Sequence, residues 1–256
     1  MKSSLLKKSA ISILIAFFWI GVWYVAALLV DSVLLLPTPH ETLYSFFELL
    51  CTPDFYKVLL FTLLRVTLGL LLGVICGVFL AFLCHKLEAL RRLLNPAISI
   101  IRATPVASFI VLLWVLVSGN ALTVIVAFLM VMPIVWQNTL DGFNSIPKEL
   151  LEVAEIYELS FKRRFNILIF PILSDYIFPA VITSVGLAWK SEVAAEIIAY
   201  TKNSIGMYIN DAKSYMLTST VFAWTAVIVI MSITLELLAR KLLRKLKNEP
   251  NHKKSQ

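Results

Sequence analysis

The sequence predicts an all-α protein, a polytopic membrane helix bundle of about six transmembrane helices with both termini cytoplasmic. Three observations carry that expectation. The 256 residues are 59% hydrophobic with a mean hydropathy of +0.86, too apolar for a soluble domain of this size. Apolar runs long enough to cross a bilayer recur along the chain. The lysines and arginines are divided very unequally between the segments that join those runs.

The first run, residues 11–30, follows a basic start and mimics a signal peptide. At about 20 residues, with further spans behind it, it reads instead as an uncleaved helix anchored by Trp19, Trp23 and Tyr24. Pro37 and Pro39 stiffen its exit, and residues 41–57 have the polar mix of an interfacial helix. The second run, 59–84, is about 39 Å long at 1.5 Å per residue and must tilt or protrude. On it Gly69, Gly73 and Gly77 form a small-residue ladder open to two readings, tight packing within one chain or a seam between two copies. A basic turn at 85–95 leads to the third run, 98–117, entered through Arg102 and Pro105. Ser118, Gly119 and Asn120 read as a tight turn, 121–136 as the fourth span, 177–200 as the fifth, 201–219 as a polar exit loop and 220–238 as the sixth. The domain reading is a single transmembrane unit, 11–240, between a cytoplasmic start, 1–10, and a basic cytoplasmic tail, 241–256. Cys51, Cys76 and Cys84 lack metal-ligand spacing and read as packing residues.

The net charge of +7 raises nucleic acid as a partner, but position decides the matter. With the N-terminus inside, the cytoplasmic segments hold Lys2, Lys7 and Lys8, then Lys86, Arg91 and Arg92, then Lys148, Lys162, Arg163 and Arg164, then the basic residues of the tail. The outer segments hold only Lys57, Lys202 and Lys213, while Arg65, Arg102 and Lys190 lie within or at the ends of spans. The basic residues thus edge one face of a lipid bilayer, and no nucleic acid is expected.

One long polar interruption, 144–171, is too regular for an idle linker. Leu150, Val153, Ala154, Tyr157 and Phe161 recur at three- and four-residue steps, an apolar stripe flanked by Glu149, Glu152, Glu155 and Glu158. Ser145 is placed to cap this amphipathic helix, Pro147 is tolerated in its first turn, and the acids suit its N-terminal end. The run from Lys162 to Arg164 then starts a second short helix, which Pro171 ends.

Glu152-Val153-Ala154, three residues, Glu158, nine residues, then Leu168-Ile169-Phe170-Pro171 resembles the cytoplasmic EAA loop of importer-type ABC transporter permeases. Leu36-Pro37-Thr38-Pro39, Gly186 to Trp189, Val193 to Glu196 and Ser204-Ile205-Gly206 resemble the nitrate, sulfonate and taurine branch of that family. Where the family has glycine this chain has Glu158, so the turn there must differ or carry strain.

The resemblance implies a transport subunit and not an enzyme: the membrane-spanning permease of an ATP-driven ABC importer for a small solute delivered by an extracytoplasmic solute-binding protein. Implied partners are ABC ATPase subunits, docked on the coupling loop 141–172 through Glu152, Val153, Ala154, Tyr157, Glu158 and Pro171, and a second permease copy. The implied location is the cell membrane. Independently, the chain has no glycine-rich Gly-Lys-Ser or Gly-Lys-Thr phosphate loop, so ATP would sit on a partner subunit and no cofactor is expected on this chain. A self-contained secondary transporter or channel is the alternative, disfavoured by the absence of an inverted repeat. An intramembrane hydrolase lacks a zinc motif or a recognisable nucleophile, so no catalytic or metal residues are expected. The branch implies nitrate, sulfonates, taurine or bicarbonate as solute, and also thiamine- or riboflavin-related compounds.

The densest ionisable set at membrane depth is in the fifth span. Trp189, Glu192, Val193 and Glu196 share a helical face with Lys190 at its edge, and the resemblance makes Trp189, Lys190, Glu192 and Glu196 candidate pathway-lining residues. The competing reading has Glu196 snorkelling outward and Lys190 paired with a neighbouring carboxylate.

Overall fold

In chain order the computed structural model describes residues 2–117 and 119–248, with the side chains of 11, 13–117 and 119–246. Its helices are α1 (Lys2–Val30), α2 (Pro39–Leu50), α3 (Pro53–Lys86), α4 (Glu88–Ala103), α5 (Val106–Leu116) and α6 (Asn120–Asn144). The loop helices α7 (Lys148–Ile156) and α8 (Phe161–Arg164) follow, then a π-helical turn (Phe165–Ile169), α9 (Phe170–Ala199), α10 (Ile205–Ser214) and α11 (Thr218–Asn248). No strand occurs among the described residues. Ser118 of the expected tight turn and the tail beyond residue 248 lie outside them.

Five of these helices are long and apolar enough to cross a membrane, and α4 with α5 makes a sixth span only as a pair bent by 108°. The expected third span is therefore broken where it was to begin. Pro105 has no amide hydrogen and pushes Thr104 into extended backbone, ψ 128°, so the helix cannot continue. The basic turn expected at 85–95 is also helical for most of its length. A single extended residue, Leu87, separates α3 from α4, whose Glu88 pairs with Arg92 at 3.4 Å.

α6 is the central element, packed between α3 and α9. The glycine ladder explains how α3 comes so close to it. A Cβ at Gly69 would stand 2.6 Å from Ala127 Cβ, one at Gly73 2.7 Å from Val131 Cβ, and one at Gly77 2.9 Å from the Met132 carbonyl oxygen. Of the two readings of the ladder, packing within one chain is the one observed. Around this centre Trp189 donates its indole N–H to the Ile228 carbonyl at 3.0 Å, and Trp224 stacks on Phe55 at 5.4 Å. Cys84 is buried with Trp136 and Leu140, as a packing residue should be, but Cys51 is exposed.

The outer layer holds α1, α2 and α11. α1 turns Leu14, Phe17 and Leu29 outward, a surface suited to lipid. Trp23 ties it to the chain exit by an N–H bond to the Pro37 carbonyl at 3.1 Å. The interfacial helix expected in 41–57 is α2, starting slightly earlier. Pro39 opens it, and a reciprocal cap joins Thr38 to Glu41, the Thr38 amide donating to the carboxylate at 2.8 Å. Those bonds from the Thr38 amide and then its hydroxyl hold the Glu41 carboxyl below the usual range.

Three further boundaries differ from the sequence reading. α6 runs on to Asn144, so Ser145 closes that helix, its hydroxyl donating to the Gly142 carbonyl at 2.9 Å, and does not cap the next one. Pro171 does not end a helix. The π-turn shifts the bonding register, with the Phe170 amide bonding to the Phe165 carbonyl, and Pro171 sits in the first turn of α9 where its missing donor is harmless. The segment 201–219 is not an open loop, because α10 folds back onto α9 with Ile205, Gly206 and Ala212 buried.

Candidate functional site

Two regions near opposite ends of α9 hold nearly all the residues singled out from the sequence. The first is the loop between α6 and α9. α7 ends at Ile156 and helix resumes only at Phe161, where α8 runs through the π-turn into α9, so the expected stripe is cut after Ile156. The turn that cuts it is a Schellman closure: the Leu159 amide donates to the Ala154 carbonyl at 3.0 Å and the Glu158 amide to the Glu155 carbonyl at 2.9 Å. This places Glu158 in the left-handed region, φ 49°. A glutamate with a Cβ thus takes the conformation that glycine adopts freely, and the strain is accepted.

Of the coupling candidates, Glu152, Val153, Tyr157, Glu158 and Pro171 are exposed, and Ala154 is buried. Ala154 lends its carbonyl to that turn and presents no side chain outward. The outward ridge is formed instead by Val153, Ile156, Tyr157 and Phe161, the last three between 74% and 79% exposed. Ile156, three residues after Val153, lies on the flank of the stripe that Leu150, Ala154 and Tyr157 centre.

The second region joins α3, α6, α9 and α10. Trp189, Glu192 and Glu196 do share a face of α9, but that face is sealed inside the protomer, each side chain fully buried. Lys190 points away from them and is exposed, with no ion-pair partner among the described residues. Neither the snorkelling of Glu196 nor the pairing of Lys190 is observed. The partner of both carboxylates is Arg65, 2.5 Å from Glu196 through Nη2 and 3.4 Å from Glu192 through Nε. Its guanidinium also donates to Asn120 Oδ1 at 3.1 Å and to the Asn203 carbonyl at 3.2 Å. Glu196 accepts further from the Thr62 hydroxyl at 2.8 Å and from the Gly206 amide at 3.2 Å. A Cβ at Gly206 would collide with the backbone of Glu196 and Ile197, so glycine is what lets α10 come this near.

Arg65 was the residue missed. An arginine inside an apolar run needs a counter-charge, and the two buried carboxylates of another span were the available ones. No group of three metal-ligating side chains occurs among the described residues.

The family model for the inner membrane component of binding-protein-dependent transport systems matches residues 69–248. The chain belongs to that family. It is therefore a multi-pass permease of the inner membrane that carries solute and is not an enzyme, with ATP used by a separate ATPase subunit. The permease is 28% identical to the taurine transport system permease protein TauC of Escherichia coli (strain K12), over 88% of this chain and 83% of that one. It is 32% identical to the nitrate import permease protein NrtB of Synechococcus elongatus, over 60% of this chain and 55% of the relative. A solved amino acid ABC transporter crystallised with histidines shares the fold, with a TM-score of 0.60 at 19% identity, covering 76% of the permease and 93% of the solved chain.

Proposed function

We propose that this permease pairs with a second copy, receives its ATPase on the 141–172 loop, and imports a small oxyanion handed over by an external binding protein. The docking reading rests on the exposed apolar ridge of Val153, Ile156, Tyr157 and Phe161. Glu149, Glu152, Glu155 and Glu158 rim that ridge, and all four are exposed. A helix meant for a membrane surface would carry lysines on its polar face, so the acidic rim suits a groove in a protein. The positive-inside asymmetry supports a cytoplasmic loop and cytoplasmic termini for the unit 11–240. Ala154 and the strained Glu158 hold the turn that presents the ridge, and Pro171 starts the helix through which closure of an ATPase pair would tilt α9. The oxyanion reading rests on the solutes in the relatives' names, taurine and nitrate. Among the four fifth-span candidates, Lys190 keeps a pathway role in this reading, while Trp189, Glu192 and Glu196 fix the helix that carries it.

Burying an aliphatic or aromatic side chain is worth about 1.5–3 kcal/mol. Ile156→Asp and Tyr157→Asp are each expected to weaken ATPase association at least tenfold, read by co-purification. Ser214→Asp, at an exposed position at the other end of the bundle, should leave association intact. Wild-type association in both loop variants would refute the docking assignment.

A further inference from the structure

Beside the break between α4 and α5 lies a cavity of about 360 Å³, lined by Arg102 and Thr104 from the break, Leu129, Pro133 and Ile134 from α6, and Leu187 from α9. At about 30 Å³ per water it has room for roughly ten waters, or for a small anion and part of its hydration shell. Pro133 stands near the middle of the 25-residue α6 and Leu187 near the middle of the 30-residue α9, so the cavity sits close to the bilayer midplane. Lys190, three residues beyond Leu187, lies on the same side of α9, one turn along.

The two arginines at membrane depth are treated in opposite ways. Arg65 is buried, ion-paired with two carboxylates and bonded to an amide oxygen and a carbonyl. Arg102 is exposed, and among the described residues it has neither an ion pair nor a hydrogen bond, as is also true of Lys190. An unpaired cation at this depth is costly against lipid and is tolerated where it faces a water-filled cavity. A second feature points to water there. Pro133 has no N–H to give to the Leu129 carbonyl, which leaves a polar backbone group at the cavity.

Resting on the reading of the chain as an oxyanion importer, we infer that Arg102 and Lys190 form the anion subsite of its translocation pathway. The planar guanidinium of Arg102 can donate two parallel N–H bonds to two oxygens of a sulfonate or nitrate group, and Lys190 adds a point charge one turn along α9 from Leu187. The Thr104 hydroxyl already donates to the Ile100 carbonyl at 2.8 Å, so recognition falls to the two cations. Glu192 and Glu196 would repel an anion from the same helix, but they face the other way and Arg65 compensates them. Burial of the two carboxylates and exposure of Lys190 thus give α9 one closed face and one that attracts anions.

The test uses the full complex of permease, ATPase and binding protein in proteoliposomes, with taurine, methanesulfonate and nitrate as probes. Arg102→Gln, Lys190→Gln and the charge-keeping Arg102→Lys are compared in preparations whose subunit ratio matches the wild type. Each glutamine variant is expected to raise the KM for binding-protein-dependent uptake tenfold or more, and Arg102→Lys to recover part of the loss. In a background lacking Cys51, Cys76 and Cys84, Arg102→Cys should react with a membrane-impermeant thiol reagent. Wild-type KM in both glutamine variants, or an inert cysteine at 102, overturns the subsite alone. A wild type that carries none of the probes overturns the oxyanion reading and the subsite with it. If Arg102→Gln does not assemble, Lys190→Gln and the thiol reactivity at 102 decide.

Discussion

Replacing Arg65 by methionine is expected to destabilise the permease by about 3–5 kcal/mol, the cost of leaving buried charges without their partner. Arg65 is the only cation among the described residues within ion-pair distance of Glu192 and Glu196, whose side chains are wholly buried. Methionine matches the bulk of the arginine stem, so the loss reads the charge and not a cavity. Glu196→Gln should cost less. The amide oxygen can take the place of Oε1 and still accept from Thr62 and Arg65, only the Gly206 amide losing its acceptor, and Arg65 keeps Glu192 at 3.4 Å. The double variant Arg65→Met, Glu196→Gln should recover part of the single loss, because it buries one carboxylate fewer. Thermal unfolding of the detergent-solubilised protein gives the order directly. If Arg65→Met melts with the wild type, the cluster does not hold α3, α9 and α10 together.

The second large effect is expected at Gly69. Valine there would set a Cβ 2.6 Å from Ala127 Cβ and 2.8 Å from the Val124 carbonyl oxygen, and a backbone atom cannot yield as a flexible side chain can. Overpacking of this kind costs about 1–3 kcal/mol, and the two branching methyl groups put Gly69→Val at the upper end. Gly21 is the control, since a Cβ on that face of α1 meets nothing within 4 Å. Gly21→Ala should leave the melting temperature where it is or raise it slightly through better helix propensity. Equal melting of Gly69→Val and wild type would mean that α3 and α6 are not in the contact described.

The architecture was legible because membrane spans announce themselves. A helix in lipid must satisfy its own backbone over about 20 residues, and apolar runs of that length are hard to mistake. Breaks within the runs were harder to see. The fault between α4 and α5 was signalled by Pro105, yet the apolar run continued across it and length was read in preference to backbone chemistry. Pro171 was misread in the opposite sense, because a π-turn can absorb a proline that an uninterrupted α-helix cannot. The fold-back of α10 was hidden because its polar residues serve intramolecular bonds, such as Asn210 to the Ile197 carbonyl at 2.6 Å. Polarity there looked like solvent exposure.

The candidate sites were legible as residue types and not as directions. Periodicity put Trp189, Glu192 and Glu196 on one face, which is where they are, but no sequence pattern says whether a polar face at membrane depth meets water or another helix. That depended on Arg65, 131 residues away from Glu196. At the loop, the departure from glycine at Glu158 left a different turn or a strained one open, and the left-handed backbone there, φ 49°, decides for strain: the turn is fixed by backbone bonds that a glutamate can still complete at a conformational cost.

The central claim, an importer permease driven by a separate ATPase, is tested most directly by solute uptake into proteoliposomes containing this chain and its ATPase. Taurine, methanesulfonate and nitrate are supplied with the binding protein on one side and ATP on the other. The account predicts uptake that requires ATP and the binding protein together and that falls sharply in Ile156→Asp. Uptake by this chain alone, driven by an ion gradient without ATP, would contradict it.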